Sequence, residues 1–250
     1  MTLAYDLSGR VGTPVLVLGP SLGTTRAMWA PQHAALSDRF LVLRYDLLGH
    51  GDSPVPPGPY TVDQLADEVL ALLDSLRIAQ CHYVGLSMGG MIGMTLAARH
   101  PDRVDRLALL CTSAHLPPAQ GWLDRAHQVK EHGTASIADI AVSRWFTPAF
   151  ADRDPYVAML AATPDEGYAA TCAAIAAMDI RPLLPRITAP TLVISGHDDP
   201  ATPPPHGRLI ADSVPGARFV ELAEAAHLAN VEQPSDVTKL LLDHLGGKDA

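Results

Sequence analysis

Val84-Gly85-Leu86-Ser87-Met88-Gly89-Gly90 sits about a third of the way along the chain, between an apolar run beginning at Cys81 and a helical pattern over Met88–His100. Glycine inside a strand or helix costs backbone entropy. Three glycines around one serine therefore imply a close approach that a Cβ would block. Gly85-Leu86-Ser87-Met88-Gly89 fits G-x-S-x-G, and its strand-before, helix-after context is the one a strained nucleophile turn requires. In that reading Ser87 Oγ projects from the sheet edge, and the Met88 N–H, at a helix N-terminus, faces a developing oxyanion. A glycine-rich turn without chemistry is the competing reading. A phosphate loop is a poorer reading still, because G-x-x-x-x-G-K-[ST] is absent.

Working outward, apolar runs alternate with longer amphipathic stretches. Pro14–Gly19, Phe40–Asp46, Cys81–Ser87, Val104–Ser113, Thr191–Gly196 and Ala217–Ala223 read as strands. Their continuous apolar character suits a sheet covered on both faces. Thr61–Leu76 opens on a polar cap and carries Leu65, Val69, Leu72, Leu73 and Leu76 on one stripe, and Pro234–Leu245 also reads as a helix. Strand and helix in repetition predict right-handed crossovers and an α/β fold with a mainly parallel central sheet. Leu116–Arg181 breaks the rhythm with no clear strand, many alanines and several Pro and Gly stops. It is expected to form a helical cap inserted over the carboxyl ends of the strands of a single domain spanning 1–250. The tail 246–250 reads as frayed.

Composition narrows the partners. The 250 residues are 48% hydrophobic and carry a formal net charge of −9, which argues against a nucleic-acid partner, since phosphate binding needs a basic surface. No apolar run approaches the ~20 residues that span a bilayer, and the N-terminal residues show no signal-peptide pattern, so a cytoplasmic protein is expected. Cys81, Cys111 and Cys172 are isolated and suit buried thiols better than disulfides or a zinc site.

A serine nucleophile needs a base, and the base an orienting acid. After a strand–turn–helix nucleophile these follow in the order acid, histidine. Downstream, Ser195-Gly-His-Asp-Asp-Pro-Ala-Thr offers Asp198 and Asp199, and Leu222-Ala-Glu-Ala-Ala-His-Leu puts His227 in a loop after the last predicted strand. The loop after Pro14–Gly19, Gly19–Thr25, sits where a second oxyanion donor belongs, and the Leu22 N–H is the candidate. In Asp46–Ser53, His50 and Asp52 resemble metal ligands, but no third ligand at suitable spacing accompanies them, so a structural role is expected.

Together GLSMGG (85–90), YDLLGHGDSP (45–54), GHDDPATPP (196–204) and AAHLANVEQP (225–234) resemble the α/β-hydrolase superfamily across nearly the whole chain. GPSLGTTRAMWAPQ (19–32), RWFTPAF (144–150) and PDEGYAATCAAIAAMD (164–179) look like 3-oxoadipate enol-lactone hydrolases of the β-ketoadipate pathway. The resemblance implies a serine hydrolase needing no cofactor or metal. Ser87 would be its nucleophile, His227 its base and Asp199 its acid, because the family's G-x-x-D-x-x-T-P register falls on Gly196, Asp199, Thr202 and Pro203. The implied substrate is a small lactone bearing a carboxylate. An acidic protein does not steer such an anion globally, so a local cation is required. Arg125, Lys130, Arg144 and Arg181 are available, and Arg144-Trp145-Phe146 combines a guanidinium fork with aromatic walls, Trp122 being a second wall. The alternatives are a general esterase or cofactor-free perhydrolase of the same fold, or a ligand receptor built on it. No oligomeric state is assigned.

Overall fold

A computed structural model describes residues 2–247. Seven strands form one sheet in the order β1-β3-β2-β4-β5-β6-β7. They are β1 (Tyr5–Gly9), β2 (Val15–Gly19), β3 (Leu41–Tyr45), β4 (Cys81–Leu86), β5 (Val104–Leu110), β6 (Thr191–Gly196) and β7 (Arg218–Leu222). All neighbours are parallel except β1, which pairs antiparallel with β3. Every residue of β4 and of β6 is buried, as expected for strands covered on both faces.

The edge strand β1 escaped the sequence reading. Its apolar Tyr5 and Leu7 are among the exposed residues, and Asp6 and Ser8 alternate with them, so no apolar face marks it. Tertiary pairing holds it instead. Asp6 stands opposite Arg44 in the register, and the Arg44 guanidinium donates to both Asp6 carboxylate oxygens at 2.9 and 3.1 Å.

Helices cover the two faces. They include α1 (Ala30–Ser37), α2 (Val62–Ser75) and α3 (Met88–Arg99). The start of α2 is fixed by Thr61, whose hydroxyl accepts from Gln64 N at 3.0 Å, and its apolar stripe is buried against α3. Between β5 and β6 lie α4 (Ala119–His132), α5 (Ala138–Ser143), α6 (Asp154–Ala161) and α7 (Asp165–Ala177), with α4 packed along α7. The Ile180 N–H donates to Ala114 O at 2.8 Å, tying the two ends of this inserted segment together at its base. After β6 come α8 (Pro204–Ser213), α9 (Ala229–Glu232) and α10 (Pro234–Leu245). Gly246 and Gly247 form a turn after α10; the remaining residues of the expected frayed tail, 248–250, lie outside the described residues. Among those residues, no helix is long and apolar enough to cross a membrane.

The topology places the site. The connection leaving β2 runs to β3 on one side, and the connection leaving β3 returns to β4 on the other. The carboxyl ends of β2 and β4 therefore flank a switch point, the position at which open α/β sheets leave a crevice for ligands. Loop 19–25 and Ser87 stand on its two sides.

Candidate active site

Ser87 has φ +55° and ψ −112°, a backbone conformation costing of order 1–3 kcal/mol for a residue with a Cβ. Its surroundings hold it there. The Ser87 N–H donates to Leu110 O at 2.9 Å, and Ser87 O accepts from Met91 N at 3.0 Å and from the Thr112 hydroxyl at 2.7 Å. The flanking glycines are required by space. A Cβ on Gly85 would stand 2.2 Å from Gly89 O, and one on Gly89 would stand 2.3 Å from Gly19 O. The motif thus closes strand, turn and neighbouring loop against each other. Met88 is the first residue of α3, so its N–H has no acceptor within the helix, while the next amide, Gly89 N, donates across to Pro20 O at 3.0 Å.

Asp199 and His227 are buried, and Asp199 Oδ2 lies 2.8 Å from His227 Nδ1. The other carboxylate oxygen, Oδ1, accepts from Ala201 N at 2.8 Å and Thr202 N at 3.1 Å, and the Thr202 hydroxyl donates to Oδ2 at 2.8 Å. Burial alone would push this carboxyl up. The His227 imidazole and the Thr202 donors outweigh burial and hold it below the ordinary carboxylate value. An acceptor-only carboxylate at Nδ1 puts the imidazole proton there and leaves the Nε2 lone pair free. Asp198, the rival in sequence, is exposed and lines a separate cavity with Phe150 and Glu224. Ser87 and His227 line one cavity. Among the described residues no hydrogen bond joins Ser87 Oγ to His227 Nε2, a contact that commonly tightens only on substrate.

Loop 19–25 is braced from beneath by His50. Gly23 N donates to His50 Nε2 at 3.1 Å, and His50 Nδ1 donates to Leu48 O at 3.2 Å. Complete burial pushes this imidazole down to about 4, so it stays neutral with Nε2 as acceptor. Asp52 pairs with Arg26 Nη2 at 3.0 Å. His50 and Asp52 thus contact loop 19–25 and Arg26 respectively, and among the described residues no three His, Cys, Asp or Glu side chains are grouped to hold a metal ion. Ser21 N, Gly23 N, Thr24 N and Thr25 N each have an acceptor. Among the described residues Leu22 N has none, and Leu22 lines the same cavity as Ser87.

That cavity has a volume of about 420 Å³. Ser87, His227 and Leu22 form its floor, and Trp122, Arg125, Arg144 and Trp145 of the inserted segment line it above. Of the four cations named from sequence, two are drawn elsewhere. Lys130 pairs with Glu166 at 3.3 Å, and Arg181 grips Asp179 at 2.6 and 2.8 Å beside another cavity. Phe146 is not a wall of the site, as sequence order suggested; it stacks on Phe150 at 4.3 Å between centroids. Arg125, one of the four cations, lines the cavity together with Arg144. Its guanidinium lies 4.8 Å from the Trp122 ring centroid and beside the Tyr168 hydroxyl. The i,i+3 spacing of Trp122 and Arg125 on one helix was the available signal. Tyr168 and Thr202 also line the cavity; the sequence reading left both without a site role.

The sequence matches the alpha/beta hydrolase fold family over residues 14–234. It is 41% identical over 239 residues to 3-oxoadipate enol-lactonase 2 of Acinetobacter baylyi, covering 94% of this chain and 89% of that protein. RutD of Stutzerimonas stutzeri, described as a candidate carbamate hydrolase, is 33% identical over 254 residues, 96% of each chain. The crystal structure of the enol-lactonase from Burkholderia xenovorans LB400 superposes with a TM-score of 0.95 at 45% identity, covering 98% of this chain and 96% of that one. The chain belongs to the α/β-hydrolase family.

Proposed function

We propose that this hydrolase is one domain with a helical cap, and that it opens 3-oxoadipate enol-lactone to 3-oxoadipate by acyl transfer through Ser87. The observation that carries the catalytic roles is the buried Asp199–His227 pair, whose histidine lines the same cavity as a serine held at positive φ. The enol-lactonase relatives support the substrate. On that reading the reaction belongs to the β-ketoadipate pathway of aromatic catabolism, in the cytoplasm.

Ser87 Oγ attacks the lactone carbonyl as its proton passes to His227 Nε2. The N–H groups of Leu22 and Met88 receive the oxyanion, each donor being worth about 10²–10³ in rate. Collapse breaks the ring C–O bond and expels an enolate, which leaves more readily than an alkoxide and becomes the ketone on taking up the proton that the His227 imidazolium gives back. That protonation removes the tethered nucleophile that would otherwise reclose the ring. Water then attacks the acyl-serine, giving its proton to His227. Ser87 leaves with that proton restored, and the acid is released.

The substrate carboxylate loses hydration on entering the cavity, a cost that needs compensation. Arg125 and Arg144 meet it, and neither guanidinium has a carboxylate partner among the described residues. A charge-assisted hydrogen bond from either is worth about 1.5–3 kcal/mol, or roughly ten- to a hundredfold in selectivity. The test measures kcat/KM for the enol-lactone, a neutral lactone of similar ring size, an aryl acetate and a simple carbamate, in wild type, Arg125→Ala and Arg144→Ala. Preference for the charged lactone, lost through KM in one or both variants, is expected. Equal turnover of charged and neutral lactones by wild type would overturn the substrate reading. The likeness to RutD favours the carbamate as the second reading, and faster carbamate cleavage would establish it.

A further inference from the structure

His227 lies on a loop, and its two neighbouring amides are anchored to the same short piece of the cap. On one side, the Ala226 N–H donates to Glu232 Oε2 at 2.8 Å. On the other, the Leu228 N–H donates to Trp145 O at 2.9 Å. The second oxygen of Glu232, Oε1, accepts from Thr147 N at 2.8 Å and from the Thr147 hydroxyl. Both anchors thus end on Trp145–Thr147, and Trp145 is itself a wall of the cavity. Glu232 is half-buried, and among the described residues no cation pairs with it. Three donors, drawn from the His227 loop and from the cap, meet its charge. The carboxylate therefore links two parts of the chain that must agree in position.

We infer that Glu232 is a positioning residue that locks the His227 loop to the Trp145 wall, so that the base and the substrate-facing cap act as one rigid unit. The inference rests on the proposed role of His227 as base. A base misplaced by a fraction of an ångström loses rate more than affinity, so the link belongs to kcat. It also belongs to the Asp199–His227 hydrogen bond, since the loop that carries the imidazole sets its distance from the carboxylate.

Glu232→Gln tests this with little change of shape. A carboxamide offers a single acceptor oxygen to donors on two sides, so either Ala226 N–H or Thr147 N–H must face an NH₂ group. With an aryl acetate as substrate, kcat is expected to fall about ten- to a hundredfold, as for loss of one charge-assisted hydrogen bond. KM should stay within about twofold. A loss confined to kcat is the mark of a misplaced base, whereas a lost substrate contact would show in KM. A purely structural carboxylate would lower the melting temperature and leave the kcat of folded enzyme unchanged. Thr147→Val, which removes only the hydroxyl donor, should show a smaller loss of the same kind, and its effect should be non-additive with Glu232→Gln. Should Glu232→Gln not fold, Thr147→Val decides alone, a wild-type kcat overturning the inference. A kcat within twofold of wild type in folded Glu232→Gln overturns it too. A wild-type enzyme inert toward aryl acetate, lactone and carbamate alike would overturn the catalytic roles themselves, a result separable from the first.

Discussion

Replacing Asp199 by Asn tests the proposed catalytic centre most directly, because the structure dictates which way the new amide must face. Asp199 Oδ1 receives two backbone donors, Ala201 N at 2.8 Å and Thr202 N at 3.1 Å, whereas Oδ2 receives the Thr202 hydroxyl and His227 Nδ1, both at 2.8 Å. The backbone donors cannot turn around, so the amide oxygen of Asn is held at the Oδ1 position. Its NH₂ group then points at His227 Nδ1. An imidazole facing a donor must accept there, which moves its proton to Nε2 and leaves nothing to take the proton of Ser87. The Thr202 hydroxyl, free to rotate, becomes an acceptor at little cost. The fold should therefore survive while kcat falls by about 10⁴, or about 5.5 kcal/mol of transition-state stabilisation at 1.36 kcal/mol per decade. Steady-state hydrolysis of an aryl acetate and of the enol-lactone, with thermal melts on the same preparations, reads both quantities. Asp198→Asn is the control, since Asp198 is exposed and lines a separate cavity; it should stay close to wild type. Asp199→Asn retaining more than a tenth of wild-type kcat, or Asp198→Asn losing as much, would refute the assignment.

Two further outcomes follow from the brace and the turn. His50 is buried neutral with its imidazole pushed down to about 4, so between the unfolded value of 6.5 and 4 the unfolded chain binds a proton that the native chain does not. Stability from this residue is fully present above about pH 6.5 and falls as pH drops towards 4, by about 3 kcal/mol; urea unfolding across that window should show a flatter profile in His50→Gln. Gly85→Ala forces a Cβ to within 2.2 Å of Gly89 O, which only a backbone shift relieves. Destabilisation of about 1–3 kcal/mol or more is expected, with loss of activity as Ser87 moves; a variant with unchanged urea midpoint and turnover would show that the elbow tolerates the side chain.

Local chemistry alone made much of this protein legible. The serine turn, the order of the later acid and histidine and the buried strands β2 to β6 are written in short runs of residue types, because a close backbone approach demands glycine and a doubly covered strand demands continuous apolar side chains. The Thr61 start of α2 and the full extent of α10 were readable for the same reason, from a capping hydroxyl and an apolar stripe. Other features have no local signature. Strand β1 exposes its apolar residues and exists through its pairing with β3 and the Asp6–Arg44 contact. Local sequence left Asp198 and Asp199 side by side, and only the folded chain brings Asp199 to 2.8 Å from His227 while Asp198 stays exposed. Sequence adjacency put Phe146 beside Trp145 at the site, yet the chain bends there after α5, and Phe146 packs on Phe150 instead. Among the cap cations, sequence could count charges but not their partners: Glu166 and Asp179 engage Lys130 and Arg181, leaving Arg125 and Arg144 facing the cavity. The tie from Glu232 to both Ala226 and Thr147 joins segments 85 residues apart in the chain, and only the folded chain brings them within reach of one carboxylate.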